Sequence, residues 1–285
     1  MTRYLVTGAG GMLGRDLLLT LDGRDVTAAT RAELDITDAA KVRDLVEGHD
    51  VVLNAAAWTD VDGAETDEQG ATAVNGTAVS VLAAACAATG ARLVHVSTDY
   101  VFPGDATEPY AEDAPTAPIN AYGRSKLAGE RAVLGTLPDT GYVVRTAWLY
   151  GTTGKNFVRT MLRLAAERDY VEVVDDQVGQ PTWSRDLAER LVALAGSGAP
   201  AGVYHGTASG QTSWHGLAEA VFAETGHDPA RVRRTTAAAY ARPAPRPSYS
   251  VLGHDRWTAA GLAPMRPWRA MLHDMLAVTP SGGAA

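Results

Sequence analysis

A chain of 285 residues is long enough to bury a sizeable core in one large α/β unit or two coupled lobes. Its 46% hydrophobic and 20% charged residues exclude a disordered or coiled-coil chain. A net charge of -8 leaves little basic surface for neutralising phosphates, which argues against nucleic acid as a partner.

Short apolar runs predict strands at Tyr4 to Val6, Val26 to Ala29, Val51 to Leu53, Leu93 to Val96 and Tyr142 to Val144. Stretches of helical length lie between them, at Gly11 to Leu21, Ala39 to Glu47, Thr72 to Thr89 and Ala121 to Leu134. Strands that are apolar throughout, not alternating, are covered on both faces. The pattern therefore predicts an α/β fold with a doubly wound, parallel Rossmann-type sheet. After about Tyr150 the regularity fades into helices at Asn156 to Arg168, Arg185 to Ala195 and Trp214 to Thr225, separated by Gly-, Pro- and Arg-rich loops. We read residues 1–150 as the dinucleotide-binding domain and 151–285 as mainly a smaller, interleaved substrate lobe. Segments near 183–208 are expected to return to the first domain, with a last strand near Gly202 to His205. The tail at 280–285 has no apolar periodicity and is expected to be frayed.

The first strand runs directly into Gly8-Ala9-Gly10-Gly11-Met12-Leu13-Gly14 and then a helix. Gly8, Gly11 and Gly14 would supply the tight turn, the close approach to a pyrophosphate and the helix-strand packing, with free N–H groups at the helix start. At the end of the second strand, Arg31 favours the 2′-phosphate of NADPH, while Glu33 and Asp35 keep NADH open. The third strand closes in Asn54-Ala55-Ala56-Ala57, small enough to lie under a cofactor. Asp62 and Glu65 have the spacing of a helix capping box.

The lone Cys86, in an alanine-rich helix, reads as core filler and suits a reducing cytoplasm. The opening residues hold no signal-peptide core, and no uninterrupted apolar run reaches the roughly 18 residues of a membrane span, so no membrane partner is expected. The histidines show no metal-ligand spacing, so no metal is expected.

The fourth strand ends in Ser97-Thr98-Asp99-Tyr100, which puts the Thr98 hydroxyl at the carboxyl edge of the sheet. Downstream, Tyr122-Gly-Arg-Ser-Lys126 sets a phenol and an ammonium four residues apart on one helical face. With ten tyrosines and three lysines in the chain, chance would give only about 0.1 such pairs. A neighbouring ammonium is expected to bring the phenol of Tyr122 toward a working pKa. Thr98 would then hold a carbonyl oxygen, Tyr122 would protonate it and Lys126 would hold the nicotinamide ribose.

Seven strings in order carry a resemblance that spans nearly the whole chain: Asn54 to Thr59, Asp62 to Glu65, Ser97 to Phe102, Tyr122 to Glu130, Arg145 to Tyr150, Asp176 to Thr182 and Arg246 to Ser250. The chain resembles the dTDP-4-dehydrorhamnose reductases among the extended short-chain dehydrogenases. The resemblance implies NAD(P)H-dependent reduction at C4 of dTDP-4-dehydro-6-deoxy-L-mannose to dTDP-L-rhamnose. It makes Thr98, Tyr122 and Lys126 the catalytic set, and gives cofactor contacts to Gly11, Met12, Leu13, Asp35, Ile36, Ala57, Trp58 and Thr59. Trp148 would touch the sugar, and Arg246 is a candidate diphosphate partner. Some relatives hold a divalent ion at a dimer interface through acidic residues; at the corresponding positions this chain has Asp16 but Arg185, which counts against such a site and leaves monomer or homodimer open.

Tyr100 stands where a dehydratase has a second carboxylate, and Phe102-Pro103 departs from the epimerase pattern. Two rivals keep every motif: a reductase of another dTDP-4-keto-deoxysugar, such as one of the dihydrostreptose type, and a non-catalytic NADP-binding regulatory subunit.

Overall fold

The computed structural model describes residues 1–279, so the tail at 280–285 lies outside the described residues. The chain builds strands β1 (Arg3–Thr7), β2 (Asp25–Ala29), β3 (Val51–Asn54), β4 (Arg92–Thr98) and β5 (Gly141–Thr146). A further strand, Gly202–His205, comes back from the C-terminal half and pairs in parallel with β5. Among the described residues these form one six-stranded parallel sheet in the order Gly202–His205, β5, β4, β3, β1, β2. The direction of winding reverses between β1 and β3, where a doubly wound sheet opens a crevice at its carboxyl edge.

Alternation along each strand divides the core in two. Tyr4, Val6, Leu53, Val94 and Val144 point to a cluster shared with Leu187, Leu191 and the C-terminal residues Trp257 and Met271. Their neighbours Leu5, Val52, Leu93 and Val143 point to the opposite cluster, beneath helices Ala39–Val46 and Ala78–Thr89. Both faces are dry, as continuous apolar strands require. Cys86 lies in the second cluster at 0% exposure, where burial pushes its thiol up to about 12.

Helix Ser184–Gly196 packs against helix α1 (Met12–Thr20), and the segment that follows it adds the sixth strand. The remaining C-terminal elements include helices Phe157–Glu167, Trp214–Glu224 and Trp268–Val278, and a parallel pair of short strands, Val171–Val174 with Val232–Thr235. Between β3 and β4 the helical run Glu68–Thr89 contains a π-helical turn at Ala73–Thr77. This run is long and apolar enough to cross a membrane by length and composition, with half of its most apolar window buried inside the protein. The same apolarity lets it fill the layer between helices Ala39–Val46 and Ala121–Thr136.

Arg145, on β5, lies against helix Ala121–Thr136 and makes two hydrogen bonds to Glu130 at 3.0 and 2.8 Å. The two side chains are only 5% and 1% exposed. Ser97 also donates to Glu130 at 2.6 Å, so the pair ties β4 and β5 to that helix. A buried charge left without its partner is costly. Glu130→Ala is expected to lose about 3–5 kcal/mol of unfolding free energy in urea titrations, whereas replacing both partners, Glu130→Leu with Arg145→Met, should cost far less. Equal losses in the two variants would show that packing, not the unpaired charge, sets the cost.

Candidate active site

Gly8 leaves β1 with φ +68, and a Cβ there would lie 2.6 Å from the backbone nitrogen of Ala56. A Cβ on Gly14 would run into the carbonyl oxygen of Gly8 and the Cα of Ala9. Both positions therefore need glycine, one for its backbone angle and one for the approach of α1 to the turn. Gly11 caps α1 with extended backbone and no side-chain hydrogen bond. The N–H groups of Met12, Leu13 and Gly14 in the first turn have no intrahelical acceptor, and the positive end of the helix dipole adds to their pull on an anion. A narrow cradle with unspent donors fits the pyrophosphate of a dinucleotide.

Beyond β2, Arg31 is exposed, and its charge reaches the exposed Asp35. Asp35 is folded back on Thr37, accepting from its N–H at 3.0 Å and its hydroxyl at 2.7 Å. The side chain of Ile36 is buried in the core, which leaves only its backbone for a ligand. After β3, Asn54 accepts from Thr7 at 2.6 Å and from the N–H of Ala56 at 3.2 Å, so the half-buried residues Ala55 to Ala57 are held beside the glycine turn.

Thr98 ends β4 and caps the 3-10 turn Asp99–Val101, accepting from the N–H of Tyr100 at 3.2 Å. Its hydroxyl donates to Asp99 at 3.0 Å. Helix Ala121–Thr136 is capped by Asn120, which accepts from Gly123 at 2.7 Å. Cβ atoms at Gly123 and Gly129 would collide with the carbonyl oxygens of Tyr100 and Asn75, so glycine lets this helix lie directly on its neighbours. That approach brings Tyr122 beside Tyr100, edge to face with centroids 6.0 Å apart, and places its phenol near Thr98 and Asp99. Lys126 is 2% exposed and donates to the carbonyl of Val96 at 2.7 Å.

The expected acidification of Tyr122 by Lys126 is not found. Burial pushes the phenol up, the charge of Asp99 adds to the shift, and the Thr98 hydroxyl opposes it. The ammonium instead turns toward β4, where burial lowers Lys126 to about 8 against the opposing charge of Glu130. Asp99 is raised to about 6, mainly by burial, with Ser250 and Thr98 pulling the other way.

Asp62 and Glu65 do not form a capping box. Asp60 caps the short helix Val61–Thr66, accepting from Gly63 at 2.9 Å. Asp62 reaches Arg246 and Arg242 on the irregular segment 236–250, here called the strap, and this pairing, with Arg246 first, holds its carboxyl down at about 2. Glu65 accepts from the N–H of Ala121 at 2.7 Å. Trp148 has the only positive φ of any non-glycine among the described residues, 46, and stacks on Trp214 at 3.6 Å.

The family model described as RmlD substrate binding domain matches residues 2–280. A dTDP-4-dehydrorhamnose reductase of Streptomyces griseus is 59% identical over 280 residues, 95% of this chain and 92% of that protein. The chain belongs to the dTDP-4-dehydrorhamnose reductase family. A dTDP-4-keto-6-deoxy-D-glucose reductase of Streptomyces niveus is 54% identical over 274 residues, 95% of each chain. Among solved structures, a dTDP-4-dehydrorhamnose reductase of Bacillus anthracis in complex with NADP superposes with a TM-score of 0.93 at 36% identity, over 97% of this chain and 99% of that one.

In this reductase-family chain the structure gathers Thr98, Tyr122 and Lys126 at the carboxyl end of β4, while the glycine turn and Ala55 to Ala57 follow β1 and β3. Arg31 and Asp35 lie farther out on the β2 side. Sequence reasoning passed over Asn75, which is 1% exposed. It accepts from the N–H of Trp58 at 2.9 Å and donates to Ser125 at 2.9 Å, bridging the loop after β3 to the Tyr122 helix. Its one signal is an Asn-Gly pair, poor helix formers, in the middle of an alanine-rich helix. Trp214, which stacks on Trp148, was also passed over as a neighbour of the site. Among the described residues no cluster of three or more His, Cys, Asp or Glu side chains is placed to hold a metal ion.

Gly8→Ala should weaken NADPH binding by at least tenfold in fluorescence titrations, because it meets both a positive φ and the Ala56 backbone; unchanged affinity would remove the turn from the cofactor site. A second test uses pH. The folded state holds the Asp99 proton up to about 6, against 3.8 for the free side chain, so stability falls as pH rises through that window. The loss is roughly 3 kcal/mol in all. Urea titrations of Asp99→Asn should lack this slope, and an identical slope in the variant would assign it to another group.

Proposed function

We propose that the chain reduces the 4-keto group of dTDP-4-dehydro-L-rhamnose to the hydroxyl of dTDP-L-rhamnose, with NADPH as the preferred donor. The observation that carries this reading is the meeting of two hydroxyls, Thr98 and Tyr122, at the sheet edge that also holds the glycine turn. Bound NADPH supplies a hydride for the carbonyl carbon. Gly11, Met12, Leu13 and Gly14 would hold its pyrophosphate, Arg31 its 2′-phosphate and Lys126 its nicotinamide ribose, with the backbone of Ile36 and residues Ala56 to Thr59 along the remainder.

Thr98 and Tyr122 would hold the keto oxygen where negative charge develops. The Tyr122 proton passes to that oxygen as the C–H bond forms. Burial and the charge of Asp99 keep the phenol protonated, the form a proton donor needs. Trp148, set on Trp214, would face the sugar, and Arg246 would meet the diphosphate. In this reading the elements after Tyr150 form the sugar-binding wall, and the enzyme works in a reducing cytoplasm as a monomer or homodimer.

A second reading, reduction of another dTDP-4-keto-6-deoxysugar, is favoured by the Streptomyces niveus relative, whose name gives a different sugar at nearly the same identity. Supplying dTDP-glucose, the upstream dehydratase and epimerase and NADPH should consume the reduced cofactor, and NMR of the product decides which sugar is made. A flat absorbance trace in the presence of confirmed keto sugar would point to a non-catalytic, NADP-binding subunit. Tyr122→Phe is expected to keep NADPH binding and lose about a hundred- to ten-thousandfold in kcat. Wild-type turnover in that variant would remove Tyr122 from the chemistry. Lys126 carries its charge below about 8, so kcat/KM should fall as pH rises through that value. A rate that stays level to pH 10 would show that the ammonium is not needed.

A further inference from the structure

The strap that carries Arg246 crosses from the C-terminal half to the short helix Val61–Thr66. Asp62, on that helix, binds three groups of the strap. It accepts from Arg242 at 3.0 and 2.8 Å, from the N–H of Ala244 at 3.1 Å and from both terminal nitrogens of Arg246 at 3.0 Å each. Glu65, three residues on, holds the first N–H of the Tyr122 helix, so one short element fixes both the strap and the catalytic helix.

The donors of Arg246 can be counted. A guanidinium has five N–H groups in one plane. Nη1 spends both of its hydrogens, one on Asp62 Oδ1 and one on the carbonyl of Ala244 at 2.7 Å. Nη2 spends one, on Asp62 Oδ2. Among the described residues, Nε and the second Nη2 hydrogen meet no protein acceptor. These two lie on a single edge, the fork that takes a pair of phosphate oxygens. Two guanidiniums on one carboxylate also leave the node with net positive charge, which suits an anion. At 19% exposure for both Asp62 and Arg246 the pair is sheltered enough to hold its geometry and open enough to be reached.

We propose that Asp62 is a positioning residue that aims the Nε–Nη2 edge of Arg246 at the diphosphate of a nucleotide sugar. The inference rests on the nucleotide-sugar reading above. A carboxylate that merely closed the loop would affect stability and every ligand together; one that aims a single arginine acts on the diphosphate alone.

The test uses the full chain and calorimetric titration with dTDP, with dTMP as the monophosphate comparison. Asp62→Asn should weaken dTDP binding by about tenfold, raise KM for the keto sugar by a similar factor, and leave kcat within about twofold and NADPH affinity unchanged. Asp62→Glu keeps the charge but moves the carboxylate by one methylene, and should fall between, with a loss of about threefold. In an Arg246→Lys background, which lacks the fork, Asp62→Asn should cost no further affinity. Unchanged or tighter dTDP binding in both Asp62 variants overturns the inference, as does a full tenfold loss in the Arg246→Lys background. If Asp62→Asn does not fold, Asp62→Glu against wild type decides by the same criterion. Failure of the wild-type protein to bind dTDP would instead overturn the nucleotide-sugar reading, and this inference with it.

Discussion

A buried ammonium must find an acceptor, and much of the site follows from where Lys126 finds one. Its Nζ donates to the carbonyl of Val96 from a position almost closed to water. That bond pins the second turn of helix Ala121–Thr136 to β4 two residues before Thr98. Tyr122, one helical turn earlier, is thereby brought to the strand end where Thr98 already stands. Removing water from the ammonium is costly, and the cost appears as its lowered pKa. The nearby Arg145–Glu130 pair holds helix and strands together at the same interface with charge-assisted bonds.

The chemistry is built by close approach as much as by charge. Gly123 and Gly129 allow the Tyr122 helix to rest on the backbone of Tyr100 and Asn75, and Gly8 and Gly14 do the same for α1 and its turn. Asn75 then closes the remaining gap, joining the Trp58 loop to Ser125. The result is a set of groups held by close packing, and for the proposed reduction a preorganised hydroxyl pair would be worth more to a developing alkoxide than a mobile one.

Opposed burial penalties shape the electrostatics. Desolvation lowers Lys126 and raises Asp99, Tyr100 and Tyr122 within one small region. The proton therefore sits on the phenol at neutral pH. Near Tyr100 the opposite logic applies to Asp62, which is partly wet and paired with two guanidinium groups, so it stays ionised and organises the strap.

The sequence alone determined what depends on local periodicity and on rigid short-range spacing. Apolar runs located the first five strands within two residues at each end, because a strand covered on both faces has no freedom to be polar. The Gly8–Gly14 turn and the Tyr122–Lys126 pair were legible because a βα turn and one helical turn fix their own geometry. Tertiary structure decided whatever joins distant segments. Asp62 and Glu65 have the spacing of a cap, yet each serves another element, since a carboxylate binds whichever donors the fold brings to it. The direction of the Lys126 ammonium, the pairing of Arg246 and the buried place of Asn75 follow from contacts across 17 to 184 residues, which no local pattern encodes.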